Sequence, residues 1–329
     1  MSFTTGPLLS RRGITESHNR IVPFIHRTPV LRSSSLNALI GADIVFKCEN
    51  FQKIGAFKIR GATNAALLMN DEERARGLAT HSSGNHAQAV ARAAQRLGVP
   101  AHIVMPASSA AVKRSAVEGY GARVVESGPR IEDREAVMQT VLAETGASFI
   151  HPYDDERVIA GQATAAKELL EDYPDLEVLM GPVGGGGLMS GTCRSAVAFG
   201  RTGISCIGCE PAGADDAARS IAAGTRLVNT EVHTIADGLR TNLSDRTFLI
   251  LQKHLDEIIT VTDDEIGAAM RLVYERLKVV IEPSSAVPLA ALIRERSRFQ
   301  KKRIGIIITG GNVDFTTVDL ARWQPPFSD

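Results

Sequence analysis

From Leu78 onwards the sequence alternates short apolar runs with stretches of helical periodicity. Up to residue 151 the apolar runs are GLATH, AHIVMP, ARVVES and ASFIHP, with helical segments between them. The alternation resumes after Ala160, where the apolar runs are EVLMGPV, SCIGCE, EIITV, KVVIEP and RIGIIITGG. Alternation of this kind predicts parallel strands with helices packed on the sheet. We therefore expect an α/β protein with two parallel sheets.

The segment before these units has to pack on one of the two sheets, and the simplest closure places it on the larger one. We expect a large domain formed by residues 1–75 and 152–329, with residues 76–151 inserted in it as a small domain. A chain of 329 residues, 44% of them hydrophobic, is long enough for two such cores.

Charge and hydropathy exclude several classes of partner. Lys plus Arg and Asp plus Glu number 37 each, and no run of five or six like charges occurs, so we expect no nucleic-acid partner. No apolar run approaches the roughly 20 residues that span a bilayer. The opening MSFTTGPLLSRRG also lacks a charged region followed by an apolar one. The sequence predicts a cytoplasmic protein without membrane contact.

The four cysteines are too few and too scattered for a disulfide framework. Cys206 and Cys209 form a C-x-x-C pattern, which can indicate a redox or zinc pair. They lie in ISCIGCEP, a run that predicts a short buried strand, where residues three apart point to opposite faces. We interpret them as two small core residues.

Two turns that follow predicted strands carry unusual polar groups, and ligands of such sheets collect at the carboxyl ends of strands. HSSGNH, from His81 to His86, offers hydroxyls, an amide and backbone donors at a helix start, which can hold a carboxylate. A simple helix cap is the alternative. ITGGNVD places the Thr309 hydroxyl and a glycine pair at the end of the last strand.

A third turn contains four consecutive glycines, 184–187, in GPVGGGGLMSG. Backbone N–H groups in such a run can converge on one anion at a helix amino terminus, as a phosphate requires. The run matches neither a Walker loop nor G-x-G-x-x-G. The sequence therefore predicts a phosphate-binding loop that has neither of these nucleotide-binding motifs.

Lys58 stands at a predicted helix start in FQKIGAFKIRGATNA. A phosphorylated aldehyde cofactor, bound to this lysine as an imine, would use the lysine and all three turns. The alternative for a single lysine is a solvated helix residue. The combination of the four features favours the cofactor.

These motifs resemble those of pyridoxal 5'-phosphate enzymes of fold type II, the tryptophan synthase beta-like fold. The chain is similar to the group of serine/threonine dehydratases (threonine ammonia-lyases), serine racemases and hydroxyaspartate dehydratases. The shared motifs, in the order and spacing of the family, are KCENFQKIGAFKIRGA, SSGNHAQA, VGGGGLMSG, ADGLRT, IEPSSAV and TGGN. The resemblance implies a cofactor in the cleft between the two domains.

The resemblance also implies roles for individual residues. The catalytic residues would be Lys58, which carries the Schiff base, and Ser83. The cofactor would be bound by Phe57 beside the ring, Asn85 at the ring hydroxyl, Thr309 at the ring nitrogen, and Gly184, Gly185, Gly186 and Gly187 at the phosphate. The substrate carboxylate would lie against the loop that contains Ser82, Ser83, Asn85 and His86.

By this resemblance the protein is an ammonia-lyase that converts L-threonine or L-serine into a 2-oxo acid and ammonia, and a homo-oligomer, most simply a dimer. Ala56 stands where most dehydratases have serine, as in hydroxyaspartate dehydratases, so 3-hydroxyaspartate is an alternative substrate. Ser83 occupies the position of the second acid in serine racemases, which makes racemisation another alternative. A different class, an NAD-dependent oxidoreductase with Glu210 on the ribose, and a non-catalytic binding protein are the remaining alternatives.

The resemblance further implies a divalent cation in CEPAGADDAARS. Glu210 ends a predicted strand and Asp216 begins a helix, so their carboxylates and the carbonyl of Ala214 can converge on Mg2+ or Ca2+. The alternative is a turn in which Asp215 or Asp216 caps the helix.

Overall fold

The structure is a computed structural model that describes residues 6–109, 111–315 and 318–323. The first and last residues of the predicted large domain, 1–5 and 324–329, lie outside this range. In the described part the strands are β1 (Val30–Leu31), β2 (Asp43–Cys48), β3 (Leu78–His81), β4 (Ala101–Pro106), β5 (Arg123–Ser127), β6 (Ser148–Phe149), β7 (Val178–Pro182), β8 (Ser205–Pro211), β9 (Glu257–Val261) and β10 (Arg303–Ile308).

Helices separate most of these strands. In the same described ranges they are α1 (Arg11–Ile21), α2 (Ser34–Ile40), α3 (Lys58–Leu67), α4 (Asp71–Ala75), α5 (Asn85–Leu97), α6 (Ala111–Gly119), α7 (Ile131–Thr145), α8 (Glu156–Asp172), α9 (Gly187–Phe199), α10 (Asp216–Ala223), α11 (Asp245–His254), α12 (Asp263–Arg276) and α13 (Pro283–Arg294). None of the described helices is both long and apolar enough to cross a bilayer.

The strands form two sheets. The larger has the order β1-β2-β10-β7-β8-β9, and the smaller has the order β5-β4-β3-β6. Every pairing is parallel except the one between β1 and β2, at the edge of the larger sheet. The predicted α/β class with two parallel sheets is confirmed, with one short antiparallel edge strand added.

The larger sheet draws strands from both ends of the chain. Its strand β2 pairs along its full length with β10, from Asp43 opposite Arg303 to Cys48 opposite Ile308. All four strands of the smaller sheet come from the segment between them, residues 78–149. This arrangement agrees with an inserted small domain, while its limits at residues 76 and 151 stay a prediction.

The core of the larger sheet lies on both of its faces, as the nearly continuous apolar runs in β7 and β8 require. Cys206 packs in one apolar cluster with Leu179 and Met189, and Cys209 packs in another with Met180 and Ile259. Both thiols are free and buried. The interpretation of this pair as core residues on opposite faces is confirmed.

The run KVVIEP, which reads as a strand in the sequence, forms no strand. Lys278 has a φ of 61°, and its N–H still donates to Val273 in the last turn of α12. Val280 is 48% exposed while Ile281 is buried, and the Ile281 carbonyl accepts from the Tyr274 hydroxyl at 2.7 Å. The segment is a connection held against α12, so the strand prediction is wrong here.

Candidate active site

Lys58 is the first residue of α3, and the chain before it turns sharply. Ile54 and Gly55 have φ values of 63° and 69°, and Ala56 then bridges to Gly310 beyond β10. The Phe57 N–H donates to the carbonyl of Thr309 at 3.0 Å. The start of α3 is thereby fixed to the segment that follows β10.

The Lys58 amine faces the connection between the two sheets. Its Nζ donates to the carbonyl of Pro152 at 2.9 Å and lies 5.2 Å from the centre of the Phe57 ring. Burial lowers the pKa of Lys58 to about 8, against a smaller opposing effect of the Glu282 carboxylate. An amine with this pKa is partly unprotonated near neutral pH, so it can act as a nucleophile and as a base.

The four glycines lie between β7 and α9. Gly186 has a φ of 82°, and a Cβ atom at Gly185 would lie 2.3 Å from the Tyr153 ring. A Cβ at Gly187 would also approach Tyr153, at 2.9 Å. Side chains are thus excluded from the amino terminus of α9, where free N–H groups suit a phosphate. The residues present fit the phosphate of the expected cofactor.

The loop before α5 places polar groups at the carboxyl end of β3. Ser82 Oγ accepts the N–H of Gly84 at 3.3 Å. Gly84 is the residue at the N-cap position, so no side chain there caps α5. Ser83 and Asn85 stand on either side of this glycine and are partly exposed. The helix amino terminus remains open to an anion.

His86 belongs to the same loop, but its side chain is turned inwards. The ring is 2% exposed, and Nε2 lies 3.0 Å from the carbonyl of Ile150, to which it donates. Burial, followed by the charge of Lys58, lowers the pKa of His86 well below its ordinary value. The imidazole is neutral and turned inwards. The group that His86 can offer to an anion at the start of α5 is therefore its main-chain N–H.

Asn85 joins the smaller sheet to the larger one. Its Nδ2 lies 3.0 Å from both carboxylate oxygens of Glu282, and its Oδ1 accepts from Asn312 Nδ2 at 2.8 Å. Glu282 is buried just before α13, and burial raises its pKa to about 7. Glu282 was not predicted as a site residue, although the sequence contains a signal for it: an acidic residue directly before Pro283 in the motif IEPSSAV.

Thr309 is 3% exposed, and its hydroxyl lies 2.8 Å from the hydroxyl of Ser285 in α13. Ser285 also belongs to IEPSSAV and was missed in the same way. Both residues are buried, and the Thr309 carbonyl accepts the Phe57 N–H.

The positively charged side chain of Arg134 lies near the loop of residues 82–86. Arg134, in the first turn of α7, has a buried Nε with no hydrogen-bond partner in the described part of the chain. The pKa of His81, the last residue of β3, is lowered first by burial and second by the positive charge of Arg134. The sequence could not place this arginine, because α7 is far from β3 along the chain.

The predicted cation ligands lie at the end of β8. Glu210 is fully buried, and its carboxylate accepts from the N–H groups of Ala217 at 3.2 Å and Ala218 at 2.8 Å. Asp216 accepts from Asn229 at 2.9 Å and from the N–H of Leu243 at 2.8 Å. Burial raises the pKa of Glu210 well above its ordinary value and that of Asp216 to about 6.

These two carboxyl groups fit a divalent cation, which would balance buried negative charge. No three side chains of His, Cys, Asp or Glu gather in this way among the described residues, so carbonyls such as that of Ala214 and water would have to complete the set. The alternative cap by Asp215 is not seen: Asp215 holds the N-cap position of α10, but its carboxylate accepts no main-chain N–H of that helix and pairs with the Arg219 side chain at 2.8 Å.

Comparison with known proteins gives a consistent result. A family model described as pyridoxal-phosphate dependent enzyme matches residues 21–310. The beta-hydroxyaspartate dehydratase of Paracoccus denitrificans (strain Pd 1222) is 47% identical over 309 residues, 94% of this chain and 96% of that protein. Maize serine racemase superposes with a TM-score of 0.91 at 45% identity, covering 94% of this chain and 95% of that one.

A solved structure of T.th. threonine deaminase superposes with a TM-score of 0.88 at 42% identity, covering 93% of this chain and 99% of that one. The match of the family model over most of the chain agrees with the cradle at the four glycines and the amine of Lys58. The chain belongs to the pyridoxal-phosphate dependent enzymes of fold type II.

Proposed function

We propose that this protein catalyses the pyridoxal-phosphate-dependent β-elimination of a 3-hydroxy amino acid. The Cα proton and the β-hydroxyl leave as water, and hydrolysis of the resulting enamine gives a 2-oxo acid and ammonia. The observation that carries the proposal is the Lys58 amine, which has a pKa of about 8 and stands beside the segment that ends β10.

Pyridoxal phosphate supplies an aldehyde that takes up the substrate amine and a ring that acidifies the Cα–H bond. Lys58 would hold the aldehyde carbon, and its amine, which is partly unprotonated near neutral pH, is the base that would take the Cα proton. The N–H groups of residues 184–187 would hold the phosphate, and Phe57 would lie beside the ring. Asn85 Nδ2 lies 3.0 Å from both oxygens of Glu282, and one of its two N–H groups would donate to the ring hydroxyl.

The substrate carboxylate binds the open amino terminus of α5, through Ser82, Ser83, Asn85 and the main-chain N–H of His86. L-Threonine and L-serine are the first candidate substrates, and the similarity to a solved threonine deaminase supports them. 3-Hydroxyaspartate is supported about as well. A relative that is 47% identical is a beta-hydroxyaspartate dehydratase. Arg134 Nε, which has no hydrogen-bond partner among the described residues, is a candidate donor for a second carboxylate.

Racemisation of the same amino acids is the second candidate activity. The similarity to maize serine racemase supports it, and Ser83 is then the acid that returns a proton to the opposite face of Cα. Ser83 is partly exposed beside Gly84, which agrees with such contact to substrate. An NAD-dependent oxidoreductase is not supported, because the family model of pyridoxal-phosphate dependent enzymes matches residues 21–310 and the four glycines do not match G-x-G-x-x-G.

We further propose that Glu210, the carbonyl of Ala214 and Asp216 bind Mg2+ or Ca2+. The N–H of Leu243 bonds to Asp216, and the Leu243 side chain lies where a Cβ of Gly186 would come within 2.7 Å. A cation here would stiffen the support of the glycine loop. The homodimeric state and the cytoplasmic location stay predictions from the sequence.

The test of the proposed activity uses Lys58→Ala, with Lys53→Ala in the same segment as control. Lys58→Ala should lose oxo-acid formation from threonine, serine and 3-hydroxyaspartate, and also the visible absorption band that borohydride removes. Circular dichroism should show an intact fold. Full activity in Lys58→Ala would contradict the proposal, as would inactivity of the native enzyme towards 3-hydroxy amino acids.

A further inference from the structure

Ser285 connects α13 to the residues that follow β10. Its Oγ lies 2.8 Å from Thr309 Oγ1 and 2.8 Å from the carbonyl oxygen of Gly310. It also accepts two main-chain N–H groups, from Thr309 at 3.0 Å and from Gly310 at 2.9 Å. The side chain is 2% exposed, so no bulk water competes for these bonds.

A hydroxyl group has one proton to donate and two lone pairs that accept. Both lone pairs of Ser285 are taken by the amides of Thr309 and Gly310. Ser285 therefore cannot accept the hydroxyl proton of Thr309. Its own proton goes either to Thr309 Oγ1 or to the carbonyl of Gly310, and neither arrangement uses the proton of Thr309.

The Thr309 hydroxyl has no other hydrogen-bond partner in the described part of the chain. Its main chain is fixed as well, because its carbonyl accepts from Phe57 and its N–H is held by Ser285. A buried hydroxyl proton without an acceptor is destabilising. The proton is thus left for a group in the cleft.

We propose that Ser285 is a positioning residue for Thr309. It holds the N–H and one side of the hydroxyl oxygen of Thr309, so that the Thr309 hydroxyl donates its proton to the ring nitrogen of the cofactor. This inference rests on the proposed function. A nitrogen that accepts from Thr309 is unprotonated, and a neutral ring withdraws electrons less strongly than a protonated one. Ser285 would then act on the cofactor without touching it.

The rival explanation is that Ser285 only joins α13 to β10 through the two main-chain amides. The test is the 15N NMR resonance of the ring nitrogen in enzyme loaded with 15N-labelled pyridoxal phosphate. Thr309→Val removes the donor, so the resonance should move towards that of an unbonded nitrogen. Ser285→Ala should move it in the same direction, and Ser285→Thr, which keeps the hydroxyl, should restore it.

The double variant separates the two explanations. If Ser285 acts through Thr309, adding Ser285→Ala to Thr309→Val should produce no further shift. An unchanged resonance in Ser285→Ala, or an equal extra shift in the Thr309→Val background, would overturn the inference. Ser195→Ala is the control, since Ser195 is equally buried but donates to Ala163, between α9 and α8.

Ser285→Ala leaves two buried amides without an acceptor, and Ser285→Cys covers the case in which that variant fails to fold. A thiol bonds more weakly than a hydroxyl, so an intermediate shift is expected, and no shift in this variant would equally overturn the inference. If the native protein binds no pyridoxal phosphate, the proposed function fails and the inference with it. If it binds and only the Ser285 variants show no effect, the inference alone fails.

Discussion

Arg60 and Glu168 form a two-point salt bridge behind the helix that begins with Lys58, with Nη1 2.9 Å from Oε1 and Nη2 2.9 Å from Oε2. Arg60 also donates to both oxygens of Glu49 at 2.7 and 2.8 Å, and Lys47 lies 2.6 Å from Glu168. All four charged side chains of this group are fully buried. Two positive charges balance two negative ones, and together they join the end of β2 to α3 and α8.

Arg60→Met is expected to lower the free energy of unfolding by about 3–5 kcal/mol, because two buried carboxylates lose their shared partner. The free energy of unfolding of Arg60→Lys should fall between that of Arg60→Met and that of the native protein, since an ammonium cannot bond both carboxylates at two points. Urea unfolding measures both. The control is Arg12→Met, which breaks an exposed pair with Glu16 and should leave stability unchanged. Native stability in Arg60→Met would show that the buried group contributes nothing.

The reactivity of Lys58 should depend on pH with a midpoint near 8. Burial disfavours the ammonium form, so the amine loses its proton at about 8 instead of 10.5. The rate at which cofactor-free protein captures pyridoxal phosphate should therefore rise through pH 8 and level off above it, as stopped-flow absorbance can measure.

Glu282→Gln is the matched variant for this profile. The Glu282 carboxylate raises the pKa of Lys58, in opposition to burial. Its removal should move the midpoint to lower pH, while the glutamine oxygen still accepts from Asn85. A midpoint that stays in place, or moves upwards, would contradict the assignment of the charge that faces Lys58.

Arg134 should distinguish the candidate substrates. If its Nε binds the second carboxylate of 3-hydroxyaspartate, Arg134→Leu should reduce kcat/KM for that substrate about 10- to 100-fold, as expected for a lost bond to a charged group. Turnover of L-serine should change little. Arg130→Leu, at an exposed residue paired with Asp133, is the control. Equal losses on both substrates would remove Arg134 from substrate selection.

Chelation should lower the melting temperature of the enzyme, and added Mg2+ or Ca2+ should restore it. Asp216→Asn should abolish this response, because it removes one of two carboxylates proposed to bind the ion. Asp215→Asn should retain it, since Asp215 pairs with Arg219 instead. Differential scanning fluorimetry provides the measurement. A melting temperature indifferent to chelator after long dialysis would mean that the two buried carboxyl groups hold no cation.

The sequence predicted those parts of the molecule whose signals are local. The run EIITV coincides with β9, Glu257–Val261, and the helix starts at Lys58 and Asn85 lie within predicted helical segments. The four-glycine loop is equally visible, because the chain needs conformations there that side chains would block.

Long-range relationships escaped prediction. Glu282 is part of the site because the start of α13 lies against Asn85. Arg60 forms its salt bridge with Glu168, which belongs to a helix distant along the chain. Neither contact leaves a pattern in the residues around it. The inward orientation of the His86 ring could not be predicted for the same reason, because its partner Ile150 lies far from it along the chain. KVVIEP shows the opposite error, in which an apolar run has no neighbouring strand to pair with.

The position of β10 has a consequence for how the protein is made. This strand lies between β2 and β7, so until residues 303–308 leave the ribosome the larger sheet consists of two separate pieces. The smaller sheet is complete once residue 149 has emerged. We expect the smaller sheet to fold during synthesis, while the unpaired edges of β2 and β7 wait for the final strand and need protection from aggregation.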